Sequence, residues 1–165
     1  MSPWIIILVL SLYAPQEIKI EPTPTITPTV TPTPDFRVKN LEDFLKSHNS
    51  PLASSSADFI EIAEEANIDY RILVGIAKAE SGFERAGNTT DYNPFGYNCP
   101  GTRPCQRFSS FKDAITKLTQ TLKTHKAYTR FRETGKLQDL AESYLKGNKI
   151  QWETTVRSII NQLEK

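Results

Sequence analysis

The sequence contains few of the residues from which metal centres and redox sites are built. It has two cysteines and two histidines among 165 residues. Two cysteines are too few for a disulfide framework, and the spacing of Cys99 and Cys105 is not the C-x-x-C of a thioredoxin-type redox motif. No histidine lies near them in the sequence, so a zinc site is poorly supported. We therefore expect neither a cofactor nor a bound metal.

Three alternatives remain open for Cys99 and Cys105, which flank the segment PGTRP. They form a disulfide that closes this loop, they are free structural thiols, or they bind a metal. The disulfide requires a location outside the reducing cytoplasm.

An excess of charge of either sign is also missing. The 20 basic and 19 acidic side chains give a net charge of +1. Proteins that bind nucleic acid usually carry a basic patch or stripe, whereas Lys and Arg are scattered here and no nucleic-acid motif is present. We expect no nucleic-acid partner.

The sequence has no apolar run of the about 20 residues that a membrane-spanning helix needs. Residues 4–14, WIIILVLSLYA, are apolar over a length that suits a signal peptide. No Lys or Arg precedes them and LYA is a poor cleavage site, so an uncleaved anchor, a divergent signal, a misplaced start codon and a buried strand are alternatives. We assign residues 1–20 to a signal-like or anchor-like segment, and expect a protein of the cell envelope or a secreted one, tethered to the membrane if the segment is retained.

Residues 21–35, EPTPTITPTVTPTPD, interrupt all regular structure with closely spaced prolines. Proline removes a backbone donor and fixes φ, so neither a helix nor a sheet can run through them. At about 3.1 Å per residue, a polyproline-like stalk of roughly 40 Å is expected. Thr/Pro-rich stalks are common outside the cell, and an ordinary linker is the alternative.

Residues 36–165 show the periodicity of helices, and no stretch alternates well enough for a major sheet. Helices are predicted over 40–47, 56–67, 70–81, from Ser109 or Ser110 onward, and over 137–145 and 151–163. Asp69 and Gly82 suit the two ends of the third helix, and Ser56 or Asp58 the start of the second. A long polar loop, 83–108, separates the third and fourth helices. The fold class is therefore a compact all-α domain with at most a minor hairpin in this loop.

Glu80 is the first candidate for chemistry. At about 100° per residue it falls on the apolar stripe of its helix, whereas Arg71 and Lys78 fall on the opposite face. The stripe consists of Ile72, Leu73, Ile76 and Ala77. Burial and the negative end of the helix dipole should both raise the pKa of Glu80, and a protonated carboxyl can act as a general acid. The alternative is a glutamate that turns into solvent or pairs with a basic neighbour.

Three blocks in order resemble the lysozyme-like superfamily of cell-wall glycosidases. They are SPLASSSADFIEIAEEANIDYRILVGIAKAESGF, then NPFGY, then FSSFKDAI. The closest match is the endo-β-N-acetylglucosaminidase-like branch, and lytic transglycosylases share much of the first block. The resemblance, from about residue 50 to 163, implies a lysozyme-like domain that cleaves β-1,4 bonds between amino sugars of peptidoglycan. We expect a monomer that acts on these glycan strands; a non-catalytic glycan-binding module is the alternative.

The resemblance also implies roles for individual residues. Glu80 matches the catalytic acid, and Ser81 the serine that helps to position it. Substrate-binding positions fall on Asn93, Phe95 and Gly96, with Tyr97 able to stack on a sugar. Because Asn-Pro favours a turn by itself, a structural Asn93 is the alternative. Tyr144 matches a late tyrosine of the family and Trp152 matches a residue before the last helix, both with weaker register. Phe111 matches an aromatic residue that follows the cleft.

A two-carboxylate hydrolase needs a second acid, about 5 Å from the first if retaining and about 6.5–9.5 Å if inverting. Asp91 is the candidate, because its loop could face Glu80; the alternative is that Asp91 only caps the following turn. The loop sequence NCPGTRPCQRF departs from the family's pattern. A transglycosylase, in which the sugar's own C6 hydroxyl attacks, needs one acid only.

Overall fold

A computed structural model describes residues 35–84, 91–99 and 104–164. The predicted segments 1–20 and 21–35 lie outside these residues, except for Asp35. Within the described part the chain forms α-helices and short 3₁₀ helices and no strand, so the predicted all-α class is confirmed. No helix in this part is long and apolar enough to cross a membrane.

The helices follow one another with short connections, apart from the loop between the third and the fourth. They are α1 (Phe36–Ser47), α2 (Ser56–Glu65), α3 (Tyr70–Ser81), α4 (Phe111–Thr124), α5 (Thr129–Thr134), α6 (Leu137–Tyr144) and α7 (Lys149–Gln162), with 3₁₀ helices at Pro51–Ser55 and Lys126–Tyr128. Helix α1 begins earlier than predicted, because the Asp35 side chain caps it by accepting the Arg37 N–H. Helix α5 and both 3₁₀ helices were not predicted.

Local capping explains most of the boundaries. The Asp69 side chain accepts the Arg71 N–H at 2.9 Å, and Gly82 ends α3 in the left-handed region at φ 63°. Ser110 caps α4 by accepting the Asp113 N–H at 3.1 Å.

The predicted cap of α2 is wrong. Ser56 and Asp58 lie inside the helix, because the 3₁₀ helix Pro51–Ser55 runs directly into it. Ser50 instead caps that 3₁₀ helix, by accepting the Leu52 N–H at 3.2 Å. The Asp58 carboxylate pairs with Lys112 of α4 at 2.8 Å.

Helix α3 is the centre of the domain. Six consecutive residues from Ile72 to Ala77 are buried, so its middle is enclosed on all sides rather than along one stripe. It packs against α2 and, most extensively, against α7. A Cβ atom on Gly75 would lie 2.8 Å from Val156 Cγ1 and 3.0 Å from Val156 Cα. The absence of a side chain at this position therefore lets the α3 and α7 backbones approach closely.

We expect Gly75→Ala to destabilise the domain by about 1–3 kcal/mol, since the added methyl overpacks a contact that includes backbone atoms. Gly147→Ala is the matched control, because a Cβ there meets nothing closer than Leu145 at 4.0 Å. Urea unfolding should show a lower midpoint for the first variant and an unchanged one for the second. Equal midpoints for the two variants would contradict the close contact.

Candidate active site

The Glu80 side chain lies in the last turn of α3 and is half-buried. Its Oε1 accepts a hydrogen bond of 2.6 Å from the indole Nε1–H of Trp152, in the first turn of α7. Burial raises the pKa of Glu80, and the Trp152 hydrogen bond opposes part of that rise. Among the described residues Glu80 forms no ion pair. The carboxyl is therefore biased toward its protonated form.

The turn after Asn93 forms the wall opposite this carboxyl, and the Asn93 side chain holds it together. Its Nδ2 donates to the carbonyls of Tyr97 and Gln106, both at 2.9 Å, and its Oδ1 accepts the Tyr97 N–H at 2.8 Å. Asn93 is 8% exposed. All three hydrogen bonds lie within the loop, so Asn93 shapes the wall, and its role in substrate binding stays a prediction.

Gly96 occupies the position in this turn that faces the acid. Its φ is +59°, and a Cβ there would lie 3.5 Å from Glu80 Oε2. The preceding residue, Phe95, is buried and packs edge-to-face on Phe59, with 6.4 Å between the ring centroids. Phe95 therefore anchors the turn in the core, while the backbone of Gly96 borders the carboxyl.

Tyr144, at the end of α6, connects this turn to Trp152. Its hydroxyl donates to the Phe95 carbonyl at 3.2 Å, and its ring centroid lies 5.3 Å from that of Trp152. Burial raises the pKa of Tyr144 well above its ordinary value, and the nearby charge of Glu80 raises it further. The hydroxyl therefore stays protonated and engaged with the protein.

A cavity of about 430 Å³ lies beside these groups. Its lining combines aromatic rings, hydroxyls and one imidazole around a single carboxyl: Glu80, Phe95, Gly96, Tyr97, Asn98, Leu118, Thr121, His125, Ala127, Tyr128, Ser143, Tyr144 and Leu145. The Tyr97 hydroxyl lies 3.2 Å from Thr121 Oγ1. Apolar rings with a few convergent polar groups are the usual lining of a small-molecule site.

The predicted site residues divide into two groups. Glu80, Phe95, Gly96, Tyr97 and Tyr144 come together at the cavity, whereas Ser81, Asn93 and Asp91 do not line it.

Several lining residues were not predicted from the sequence. His125, Tyr128, Thr121 and Ser143 belong to no motif, and the 3₁₀ helix that carries Tyr128 was not predicted. Trp152 lies within α7 and not before it, since α7 begins at Lys149.

Asp91 is held by the loop itself. Its Oδ1 pairs with Arg107 Nε at 2.7 Å, and its backbone carbonyl accepts the Phe108 N–H at 3.0 Å. Its charge raises the pKa of Glu84, a smaller effect there than burial. The role of Asp91 as a second acid stays a prediction.

Ser81 acts at the end of its own helix. Its hydroxyl donates to the Ala77 carbonyl at 3.0 Å and accepts the Glu84 N–H at 2.8 Å. These contacts secure the chain where it leaves α3, directly after the acid. Ser81 thus influences Glu80 through the backbone.

Cys99 and Cys105 are joined in a disulfide. The bond links the segment after the Asn93 turn to the segment that leads into α4. No cluster of His, Cys, Asp and Glu suited to a metal occurs within 35–84, 91–99 and 104–164.

We expect Asn93→Ala to lower the free energy of unfolding by about 2–3 kcal/mol, because buried backbone groups lose their partners. Gln106→Ala is the control in the same loop, since its side chain makes one exposed hydrogen bond to a described residue, Asn98. Chemical denaturation of both variants checks this. A loss for Asn93→Ala no larger than for the control would show that the three hydrogen bonds do not hold the turn.

Comparison with known proteins identifies no family for the chain. No protein-family model matches the chain, and no curated protein matches it either. The motifs and the geometry around Glu80 are therefore the basis for a functional proposal.

Proposed function

We propose that residues 36–165 form a peptidoglycan glycan hydrolase of the endo-β-N-acetylglucosaminidase type, which acts as a monomer outside the cytoplasm. The observation that carries the proposal is the half-buried Glu80, whose pKa is raised by burial, at the wall of a cavity rich in tyrosine. Such a carboxyl protonates the leaving oxygen of a β-1,4 glycosidic bond while oxocarbenium character develops on the sugar.

The rest of the lining suits an amino sugar. Sugar rings offer apolar faces that stack on aromatic side chains, together with hydroxyl and acetamido groups that need hydrogen-bond partners. Tyr97 and Tyr128 are partly exposed in the cavity, and Thr121 and Ser143 add hydroxyls. Because the hydroxyls of Tyr144 and Tyr97 are already bonded, to Phe95 and Thr121, we assign sugar contact first to Tyr128 and to the ring face of Tyr97.

A lytic transglycosylase is the second candidate, and one observation favours it. Of the described residues that line the cavity, Glu80 alone carries a carboxyl. The loop segments 85–90 and 100–103 contain no Asp or Glu in their sequence. With a single carboxyl, the attacking group is the sugar's own C6 hydroxyl in a transglycosylase, or water assisted by the substrate's acetamido group in a hydrolase.

We expect Glu80→Gln to abolish the clearing of purified murein while retention on murein persists, because the amide keeps the shape of the site but cannot donate the acidic proton. Turbidity and a murein pull-down measure the two properties. Clearing at the wild-type rate would remove Glu80 from the mechanism, and a wild-type protein that is retained but never clears would be a binding module.

Mass spectrometry of the digest identifies the reaction. The hydrolase is expected to leave reducing N-acetylglucosamine ends. Anhydro-muramyl ends would instead establish the transglycosylase, and reducing N-acetylmuramic acid ends a muramidase.

Burial of Glu80 also predicts a pH-dependent stability difference. Its folded pKa lies above the unfolded value, so the ionised form destabilises the folded state once the pH rises through that range. The stability of Glu80→Gln relative to the wild type should therefore be greater at pH 8 than below about pH 4, where both carboxyl and amide are neutral. Urea unfolding at the two pH values tests this, and a difference that does not change with pH would contradict it.

A further inference from the structure

We propose that Trp152 is a positioning residue that holds Oε1 of Glu80, so that Oε2 delivers the proton to the glycosidic oxygen across a gap that Gly96 keeps open. This inference rests on the proposed function, because it assigns a task to each oxygen of the same acid. The resemblance matches Trp152 to a residue before the last helix but gives it no part in the reaction.

The two oxygens of the Glu80 carboxyl have different surroundings. An indole N–H donates and cannot accept, and its hydrogen bond to Oε1 measures 2.6 Å. The carbonyl oxygen of a protonated carboxyl is a better acceptor than its hydroxyl oxygen. The indole therefore favours the tautomer in which the proton resides on Oε2.

The donor is held rigidly. Trp152 is 5% exposed and lies in the first turn of α7. This helix packs closely on α3, where Val156 contacts Gly75. Its ring also packs against Tyr144. With both helices and the ring held, the indole restricts rotation of the Glu80 carboxyl.

Gly96 leaves space in front of Oε2. The nearest atom to an added Cβ on Gly96 is Glu80 Oε2 at 3.5 Å, followed by Glu80 Cβ at 3.9 Å. Both Glu80 and Gly96 line the cavity. A side chain at position 96 would contact Oε2, the oxygen that donates the proton to the substrate.

Tyr144 connects the donor to this wall. The same residue packs on Trp152 and donates to the Phe95 carbonyl, next to Gly96. Donor, acid and open gap are therefore held by one contiguous set of contacts between α3, α6, α7 and the Asn93 turn.

The chemistry follows from this arrangement. The proton moves from Oε2 to the glycosidic oxygen, the bond between C1 and that oxygen breaks, and the bonding electron pair goes to the leaving oxygen. Glu80 is then a carboxylate, and the indole hydrogen bond strengthens because its acceptor has become charged. When water attacks C1 in the hydrolase, its proton returns to Oε2 and the acid is restored.

The test compares Trp152→Phe with the wild type as the full chain, because phenylalanine keeps a ring against Tyr144 but has no N–H. The loss of the hydrogen bond should raise the pKa of Glu80 further, measured by carbon NMR of the glutamate carboxyls, with Glu80→Gln assigning the signal. The alkaline limb of murein cleavage should move to higher pH, and the rate at the optimum should fall on the order of 10-fold or more.

Other ionisable side chains line the cavity, so the pH profile needs a control. Among the described residues, four other ionisable side chains line the cavity with Glu80. They are Tyr97 in the Asn93 turn, His125 before the Lys126–Tyr128 helix, Tyr128 in that helix and Tyr144 in α6. His125→Gln removes the imidazole, and the alkaline limb should still shift when Trp152→Phe is added to it. A shift that disappears in this background would assign the limb to His125 and overturn the inference.

If Trp152→Phe does not fold, replacement of both tryptophans, Trp4 and Trp152, by benzothienylalanine changes the N–H to sulfur within the same ring shape. An unchanged pKa of Glu80 in either protein overturns the inference whatever the activity. The proposed function fails separately, when the wild type leaves murein uncut. The NMR measurement still reports the hydrogen bond in that case.

Gly96→Ala tests the open gap. It should lower the murein cleavage rate at least 10-fold, whereas Gly135→Ala should leave it unchanged. The control is matched, since Gly135 has a φ of +67° and an added Cβ there meets nothing within 4 Å. Equal rates for the two variants would show that the space at position 96 does not matter for cleavage and would overturn this part of the inference.

Discussion

The close approach of α3 and α7 at Gly75 and Val156 is the constraint on which the candidate site depends. Glu80 lies on one helix and Trp152 on the other, so the distance between carboxyl and indole is set by how the two backbones pack. A methyl group at position 75 would act more than one helical turn away from Glu80. The hydrogen bond to the acid is thus a consequence of core packing, and the stability of the fold and the geometry of the site cannot be separated.

The features predictable from the sequence are those with a local cause. Asp69 and Gly82 determine the ends of α3 through hydrogen bonding and a left-handed backbone, which act over a few residues. Helix α5 is six residues long, too short to display a hydrophobic period. The α2 cap was mistaken for a related reason, because the 3₁₀ helix Pro51–Ser55 has no periodic signature of its own.

In the candidate site, too, the features with a local cause were predictable and the long-range contacts were not. The inward position of Glu80 could be predicted from its spacing to Leu73 and Ile76, although the burial of every residue from Ile72 to Ala77 goes beyond the predicted stripe. The hydrogen bond of Glu80 joins residues 72 positions apart, and no local pattern reports a contact of that range. The hydrogen bonds of Asn93 reach Tyr97 and Gln106, and the sequence pattern NPFGY does not report the second of these partners; a role of Asn93 in substrate binding stays a prediction.

Tyr144 contacts two different parts of the site, and a substitution there affects both. It supports Trp152 with its ring and the Gly96 wall with its hydroxyl, so its removal perturbs two sides of the cavity at once. Residues that share a partner in this way have non-additive energies. Weakened retention of a glycan by a Tyr144 variant would therefore not identify a sugar contact, and only double-mutant cycles with Trp152 and Phe95 would apportion the effect.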